Sequence, residues 1–256
     1  MSELIAALIL AVVQGITEWL PISSSGHLVI FEKLLGYDGG LFFEVALHFG
    51  TLMAVFVYFG QDIVDILRDL LNLNFKSENG KIGIFLIIAS IPAGIIGLFF
   101  HNIISVSGNW IMLALGFLIS SIILFIGSSA PAKVKKLGFL GAIFVGLMQI
   151  FSLFRGVSRS GSTITAGLLA GLNEKQAIKF SYLLSIPIIL GANIILVGNN
   201  TLPSELIWAA LVSFFVSLGA MHFSFNYILN NRKNLRWLGI YLLVVALALG
   251  VYSIVS

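Results

Sequence analysis

Apolar residues fall along this chain in long runs separated by short polar breaks, and the run lengths carry the first inference. A helix needs about 20 apolar residues to cross the roughly 30 Å hydrocarbon core of a bilayer. Six runs qualify, from about Leu41 to Gly60, Ile82 to Phe100, Trp110 to Gly127, Ala177 to Val197, Glu205 to Tyr227 and Trp237 to Ile254. The breaks include Ser77-Glu78-Asn79-Gly80-Lys81 and Gly198-Asn199-Asn200-Thr201, and His101 reads as a loop residue. Asp62 to Asn74 reads as an amphipathic extension of the first span, with Asp and Arg on one side.

Two further runs have a different shape. Leu4 to Leu20 begins as a span but carries Gln14, Thr17 and Glu18 and breaks at Pro21. Ser23-Ser24-Ser25-Gly26-His27 follows, then a short apolar limb from Leu28 to Leu35. That limb would rise only about 12 Å as a helix, too little to cross. Gly138 to Phe154, the break Arg155-Gly156-Val157-Ser158-Arg159-Ser160-Gly161 and the limb Thr163 to Gly171 repeat the arrangement. Both read as re-entrant helix-loop-helix hairpins that enter and leave the membrane on the same side. A gapless shift of 135 residues sets Gln14 on Gln149, Ser23 on Ser158, Ser25 on Ser160, Gly26 on Gly161, Leu34 on Leu169 and Gly36 on Gly171. Each half, about 1–127 and about 136–256, then holds one hairpin and three spans. Three is odd, so the second copy is expected to lie inverted relative to the first. The expected fold is an all-α polytopic membrane protein, a single membrane domain over 1–256.

Composition agrees. Residues of the hydrophobic set make up 59% of the chain and charged residues 10%, against roughly 25% charged in soluble domains; so apolar a surface could not be kept in water. The absence of cysteine excludes a disulfide framework, a thiol nucleophile and a cysteine metal site. Met1-Ser2-Glu3 lacks a basic region, so no cleavable leader is expected. The bilayer is the expected environment, and no nucleic-acid partner is expected. The net charge of +3 matters less than its placement. An inverted arrangement gathers the loops around 61–81, 128–137, 172–179 and 229–236 on one side. These hold Arg68, Lys76, Lys81, Lys133, Lys135, Lys136, Lys175, Lys179, Arg232, Lys233 and Arg236, against Lys33 alone on the other. The rich side is then cytoplasmic, both termini lie outside, and the two hairpin tips meet near the midplane.

The remaining basic residues, Arg155 and Arg159, both fall in the second break. An arginine at membrane depth costs at least roughly 2.5–3.5 kcal/mol on insertion scales, so it needs a partner or a wet cavity. Around Arg159 stand Ser158, Ser160, Ser162 and Thr163, with Gly156 and Gly161 flanking. Inward amides, hydroxyls and a helix N-terminus make an anion cradle, and the guanidinium fork suits phosphate. The blander alternative is an arginine that only pairs with Glu18 to hold the hairpins together. The first hairpin supplies the complement: Gln14 and Glu18 share a helix face, and Ser23, Ser24, Ser25 and His27 follow. Hydroxyl, imidazole and carboxylate form a nucleophile, base and orienting group, although a serine run also caps a short helix and His27 could be an interior histidine.

Gln14-Gly15-Ile16-Thr17-Glu18-Trp19-Leu20-Pro21-Ile22-Ser23-Ser24-Ser25-Gly26-His27 resembles the first signature of the undecaprenyl-diphosphate phosphatases of the bacitracin-resistance type, (Glu/Gln)xxxGlu leading into Pro-x-Ser-Ser-x-Gly-His. Gly156-Val157-Ser158-Arg159-Ser160-Gly161-Ser162-Thr163 is similar to the second, Pro-Gly-x-Ser-Arg-Ser-x-x-Thr, with Arg155 standing where the signature has proline. Phe43-Glu44-Val45-Ala46-Leu47-His48-Phe49-Gly50-Thr51-Leu52 also resembles the span after the first hairpin. The likeness covers nearly the whole chain. It implies six spans, two re-entrant hairpins, a site opening outward in the cell membrane, and phosphate release from a polyprenyl diphosphate during carrier recycling for peptidoglycan synthesis. It also implies a divalent metal, Mg²⁺ or Ca²⁺, for which Glu18 is the one carboxylate within the motifs, and it leaves room for a homodimer. The expected catalytic residues are Glu18, Ser24, His27 and Arg159, with Ser24, a water placed by Ser24, or His27 as the nucleophile and Glu18 orienting His27 or a metal-bound water. The expected substrate-binding residues are Gln14, Ser23, Ser25, Gly26, Gly156, Ser158, Ser160, Gly161 and Thr163. His48 and Glu44 are candidates to line the cavity, while Asn193, His222 and Asn226 read as interhelical hydrogen-bonders. A transporter or flippase of a polyprenyl phosphate is the rival reading, since broken helices meeting at midplane also serve carriers; phosphate release separates the two.

Overall fold

The computed structural model describes residues 2–104, 109–131, 136–197 and 204–255. Lys133, Lys135 and the Gly198-to-Thr201 break lie outside the described residues. Eleven α-helices run through the described residues: α1 (Glu3–Thr17), α2 (Ser24–Leu35), α3 (Gly40–Tyr58), α4 (Gly60–Leu71), α5 (Glu78–Ile104), α6 (Trp110–Ser128), α7 (Phe139–Ile150), α8 (Arg159–Leu169), α9 (Glu174–Val197), α10 (Ser204–Phe223) and α11 (Lys233–Val255). A 3₁₀ turn, Phe151–Leu153, follows α7, and a π turn, Ser224–Ile228, extends α10. Five of these segments are long and apolar enough to cross a bilayer, and α3 with α4 meets the same measure only as a bent pair. The protein is thus an all-helical, multi-pass membrane protein.

Two expectations change. The stretch after Gly60 does not extend the first span: α4 turns by 81° from α3. Gln61, Asp62, Asp65, Arg68 and Asp69 cannot follow α3 into hydrocarbon, so the chain bends and lays Ile66 and Leu70 against Gly83 of α5. His101 belongs to α5 and not to a loop, because that helix runs four residues beyond the expected end.

The surface is inverted relative to a water-soluble bundle. Large apolar side chains such as Leu140, Ile194 and Ile254 point outward, where lipid, not water, meets them. Serines are sequestered between helices and donate to carbonyls of neighbours: Ser213 to Leu47, Ser217 to Gly15, and Ser121 to Gly239, at 3.1, 3.3 and 2.7 Å. Burial of apolar surface does not drive association inside a bilayer, so such bonds and close backbone approach hold the helices together. α6 packs along α11, α10 packs on α1 and α3, and α9 on α3, α5 and α8. On α3, a Cβ at Gly50 would sit 2.2 Å from the carbonyl oxygen of Ala210. Gly50→Ala is therefore expected to push α3 from α10 and cost about 1–3 kcal/mol, read as a lower melting temperature in detergent.

Candidate active site

Both hairpins turn back through a serine that starts the second helix. α2 begins at Ser24, where Ser23 Oγ accepts from the Gly26 amide at 3.3 Å; α8 begins at Arg159, where Ser158 Oγ accepts from the Gly161 amide at 3.0 Å. Ser24 to His27 and Arg159 to Gly161, expected within the breaks, are therefore first helical turns. The capping alternative holds for Ser23 and Ser158, whose hydroxyls are spent on their own helices. Each cap leaves two orphan amides ahead of it, those of Ser24 and Ser25 and those of Arg159 and Ser160. The four N–H groups belong to two helix N-termini whose first residues line the same cavity, of about 240 Å³.

At the back of this cavity the hairpins are joined by charge. Arg159 Nη2 donates to Glu18 Oε1 at 2.5 Å, and Nη1 donates to the Ser181 carbonyl at 3.1 Å. Ser24 Oγ donates to the other Glu18 oxygen, Oε2, at 2.6 Å. Gln14 Nε2 lies 3.0 Å from both Glu18 Oε2 and His48 Nδ1, so its two N–H groups bridge carboxylate and imidazole. Glu18 is almost enclosed, whereas His48 is partly open and lines the cavity with Glu44. The turn carrying Glu18 is itself braced: Tyr182 and Ser224 both donate to the Trp19 carbonyl, at 2.6 and 3.2 Å.

His27 is elsewhere. One ring nitrogen, Nδ1, bonds the Ser23 carbonyl at 2.8 Å, and the other, Nε2, bonds Tyr241 Oη of α11 at 2.7 Å. The expected pairing of Glu18 with His27 does not form, and His27 does not line the cavity. The physical reason lies one turn back, where Ser23 stands at φ 70°, a left-handed conformation unusual for serine. Such a residue costs of order 1–3 kcal/mol and persists only when its surroundings over-determine it. His27 holds it twice, by the ring and by its backbone amide to the same carbonyl at 3.2 Å. Its ring thereby aims Ser24 without meeting it.

Other expected binders divide similarly. Ser25 and Ser160 line the cavity, and Ser160 Oγ also donates to the Leu20 carbonyl at 3.2 Å, a second tie between hairpins. Thr163 is buried behind it, bonded to the Arg159 carbonyl and to Ser181 Oγ. Gly26 leaves room for the Phe117 ring. Gly156, at φ 89°, is the third residue of a turn closed by the Val157 amide on the Phe154 carbonyl at 3.0 Å. In that turn Arg155 takes the second position, which favours proline but admits most residues. Its geometry is secured from α6 instead: a Cβ at Gly116 would lie 2.2 Å from the Arg155 carbonyl oxygen, and Ser120 Oγ donates to Gly156 and accepts from the Ser158 amide. Asn193 bonds the Ile189 carbonyl within its own helix while also lining the cavity. His222 and Asn226 do reach Tyr58 across helices. Ser120, Ser181 and Tyr241 were not singled out from the sequence, where each is one polar group in an apolar run.

The chain is also similar to known proteins over most of its length. The family model described as bacitracin resistance protein BacA matches residues 7–248. The chain is 43% identical over 200 residues to a protein named undecaprenyl-diphosphatase from Caldicellulosiruptor bescii, covering 76% of this chain and 75% of that one. It is 38% identical to the one from Methanosphaera stadtmanae, over 76% and 77% of the two chains. Over 257 residues it is 34% identical to the one from Carboxydothermus hydrogenoformans, 95% of each.

The placement of His27 generates a test. Tyr241→Phe removes one part-buried hydrogen bond, worth about 1 kcal/mol, and is expected to lower the melting temperature slightly while turnover stays within about twofold. Inactivation as deep as that of Ser24→Ala would make the His27–Tyr241 pair part of the chemistry.

Proposed function

The chain belongs to the bacitracin resistance protein BacA family, and on that premise we propose that it hydrolyses undecaprenyl diphosphate to the monophosphate and inorganic phosphate, returning the lipid carrier to use. The observation that carries this reading is the cluster of Ser24, Glu18 and Arg159, a hydroxyl on a carboxylate on a guanidinium, between two helix N-termini. A carrier needs the cation and the amides; it has no use for a hydroxyl held 2.6 Å from a buried carboxylate oxygen. That favours hydrolysis over the transporter reading.

The roles follow from the bonds. Arg159 spends one N–H on Glu18 and one on Ser181, which leaves three of its five donors for phosphate. With the orphan amides it would hold the terminal phosphoryl group and stabilise charge as it transfers. Ser24 attacks that phosphorus while its proton passes to Glu18 Oε2; the bond from phosphorus to the bridging oxygen breaks, and the lipid monophosphate leaves with the electron pair. Water then attacks the phosphoserine, its proton leaves with the phosphate, and the proton on Glu18 returns to Ser24. Gln14 donates to Glu18 and to His48 Nδ1, which places the imidazole proton on Nε2, available to a phosphoryl oxygen. His27 and Thr163 position the two helix starts.

A Mg²⁺ or Ca²⁺ fits here as an ion shared with substrate. Among the described residues no three carboxylate or imidazole groups converge, but Glu18 lines the cavity and would be the protein's hard donor, beside a Gln14 whose Nε2 is bonded to it and whose buried Oε1 has no hydrogen-bond partner. Such an ion would complete its shell with water and diphosphate oxygens and would neutralise phosphate charge.

The finer architecture belongs to the same proposal. α1–α2 and α7–α8 are read as re-entrant hairpins in an inverted repeat within the cell membrane, both termini outside. Helix contacts support it: α1 on α10 has its counterpart in α7 on α5, α3 on α10 in α9 on α5, while α3–α9 and α6–α11 pair across the halves. A homodimer would use one of the lipid-facing apolar surfaces.

Phosphate release from undecaprenyl diphosphate by the purified protein tests the function. Ser24→Ala is expected to lower kcat by about a thousandfold or more, and Arg159→Lys by about a hundredfold because the planar fork is lost. Near-normal turnover in either variant would remove that residue from its role. For the topology, cysteines placed at Ser2 and at Asn231 are expected to react with a membrane-impermeant maleimide from opposite sides; labelling both from one side would overturn the inverted arrangement.

A further inference from the structure

Beside the catalytic cluster the cavity carries a second, half-buried carboxylate, Glu44, which the proposed chemistry does not use. It is held by Arg155, whose Nη2 lies 3.0 Å from Glu44 Oε1 and 3.3 Å from Oε2. The side chains are 27% and 16% exposed, so the pair is at the mouth and not in bulk solvent. Other charges surround it. Glu32 of α2 lies within electrostatic reach of Glu44, Arg155, Asp38 and Lys33. Glu44 lines the cavity into which the substrate must bring its diphosphate. Among the described residues, Arg155 is the cation paired with Glu44.

Arg155 stands at the second position of a turn whose shape α6 secures, so its side chain is free to serve something other than folding. We propose that Arg155 is a positioning residue that sets the affinity for the diphosphate, by masking Glu44 and cancelling its repulsion of the anionic substrate. This rests on the phosphatase reading of the cavity and adds a determinant at the position where the chain departs from the second signature. An ion pair this exposed adds little to stability, but an unpaired carboxylate facing a multiply charged anion in a partly dehydrated cavity weakens binding substantially.

The test is a charge cycle on the full protein in detergent at low salt. It reads KM and kcat for undecaprenyl diphosphate together with Kd for a prenyl methylenediphosphonate, whose bridging carbon resists hydrolysis. Arg155→Ala is expected to raise KM and Kd about tenfold with kcat within about twofold. Arg155→Lys keeps the charge and should stay close to the parent. In the double variant Arg155→Ala with Glu44→Gln, both constants should return to within about twofold of the parent, since the masked charge is gone. Unchanged affinity in Arg155→Ala overturns the proposal. So does a double variant as weak as the single one, which would mean that Arg155 touches the substrate itself, and so does a loss confined to kcat. Should Arg155→Ala fail to fold, Arg155→Pro keeps the turn and takes its place. If the parent binds the diphosphonate with this pattern but releases no phosphate, the functional reading fails and the masking stands.

Discussion

The ion pair between Arg159 and Glu18 is the constraint from which the rest of the site follows. Neither charge could be left alone at this depth: breaking a buried pair by removing one partner typically costs 3–5 kcal/mol. Joined, they tie the tip of one helical hairpin to the tip of another, and everything that touches substrate is placed relative to that tie. The structural alternative holds for the two donors that Arg159 spends on Glu18 and Ser181, and the proposed function gives phosphate to the rest.

Around that tie the polar residues divide into those that meet the cavity and those that hold the backbone that meets it. Ser23 and Ser24 are neighbours in sequence with opposite tasks: one caps a helix in a strained conformation, the other presents a hydroxyl to a carboxylate. Ser158 and Ser160 divide likewise. α6 supplies no reactive group, yet Gly116 and Ser120 set the turn before Arg159, and Phe117 packs against Gly26 and His27 of the other hairpin. A helix that reads as plain membrane span thus serves as the platform for both tips.

Much of this was legible in the chain. The spans show in run length, the paired short helices in runs too short to cross, the arginine in its cost at membrane depth, and the glutamate and serine in their place beside a break. What failed to show depends on orientation. The sequence places His27 three residues from Ser24 and leaves open which way its ring turns; the structure sends it to Tyr241, more than two hundred residues away. His48 comes from a separate helix, and no spacing rule could join it to Gln14. The bend at Gly60 was missed because an amphipathic run after a span looks the same whether it continues upward or lies flat. The tolerance of arginine in the turn was hidden because the restraint comes from a different helix.

The distance along the chain between the two partners of the central ion pair has a consequence for how the protein is made. Arg159 follows Glu18 by 141 residues, and at ribosomal rates of about 5–20 residues per second the carboxylate waits roughly 7–28 s for its counterion. Until then the burial that Glu18 has in the finished fold would leave a charge uncompensated, so the carboxylate must stay protonated or wet. The tip built around Glu18 is therefore completed only after the second hairpin has been made.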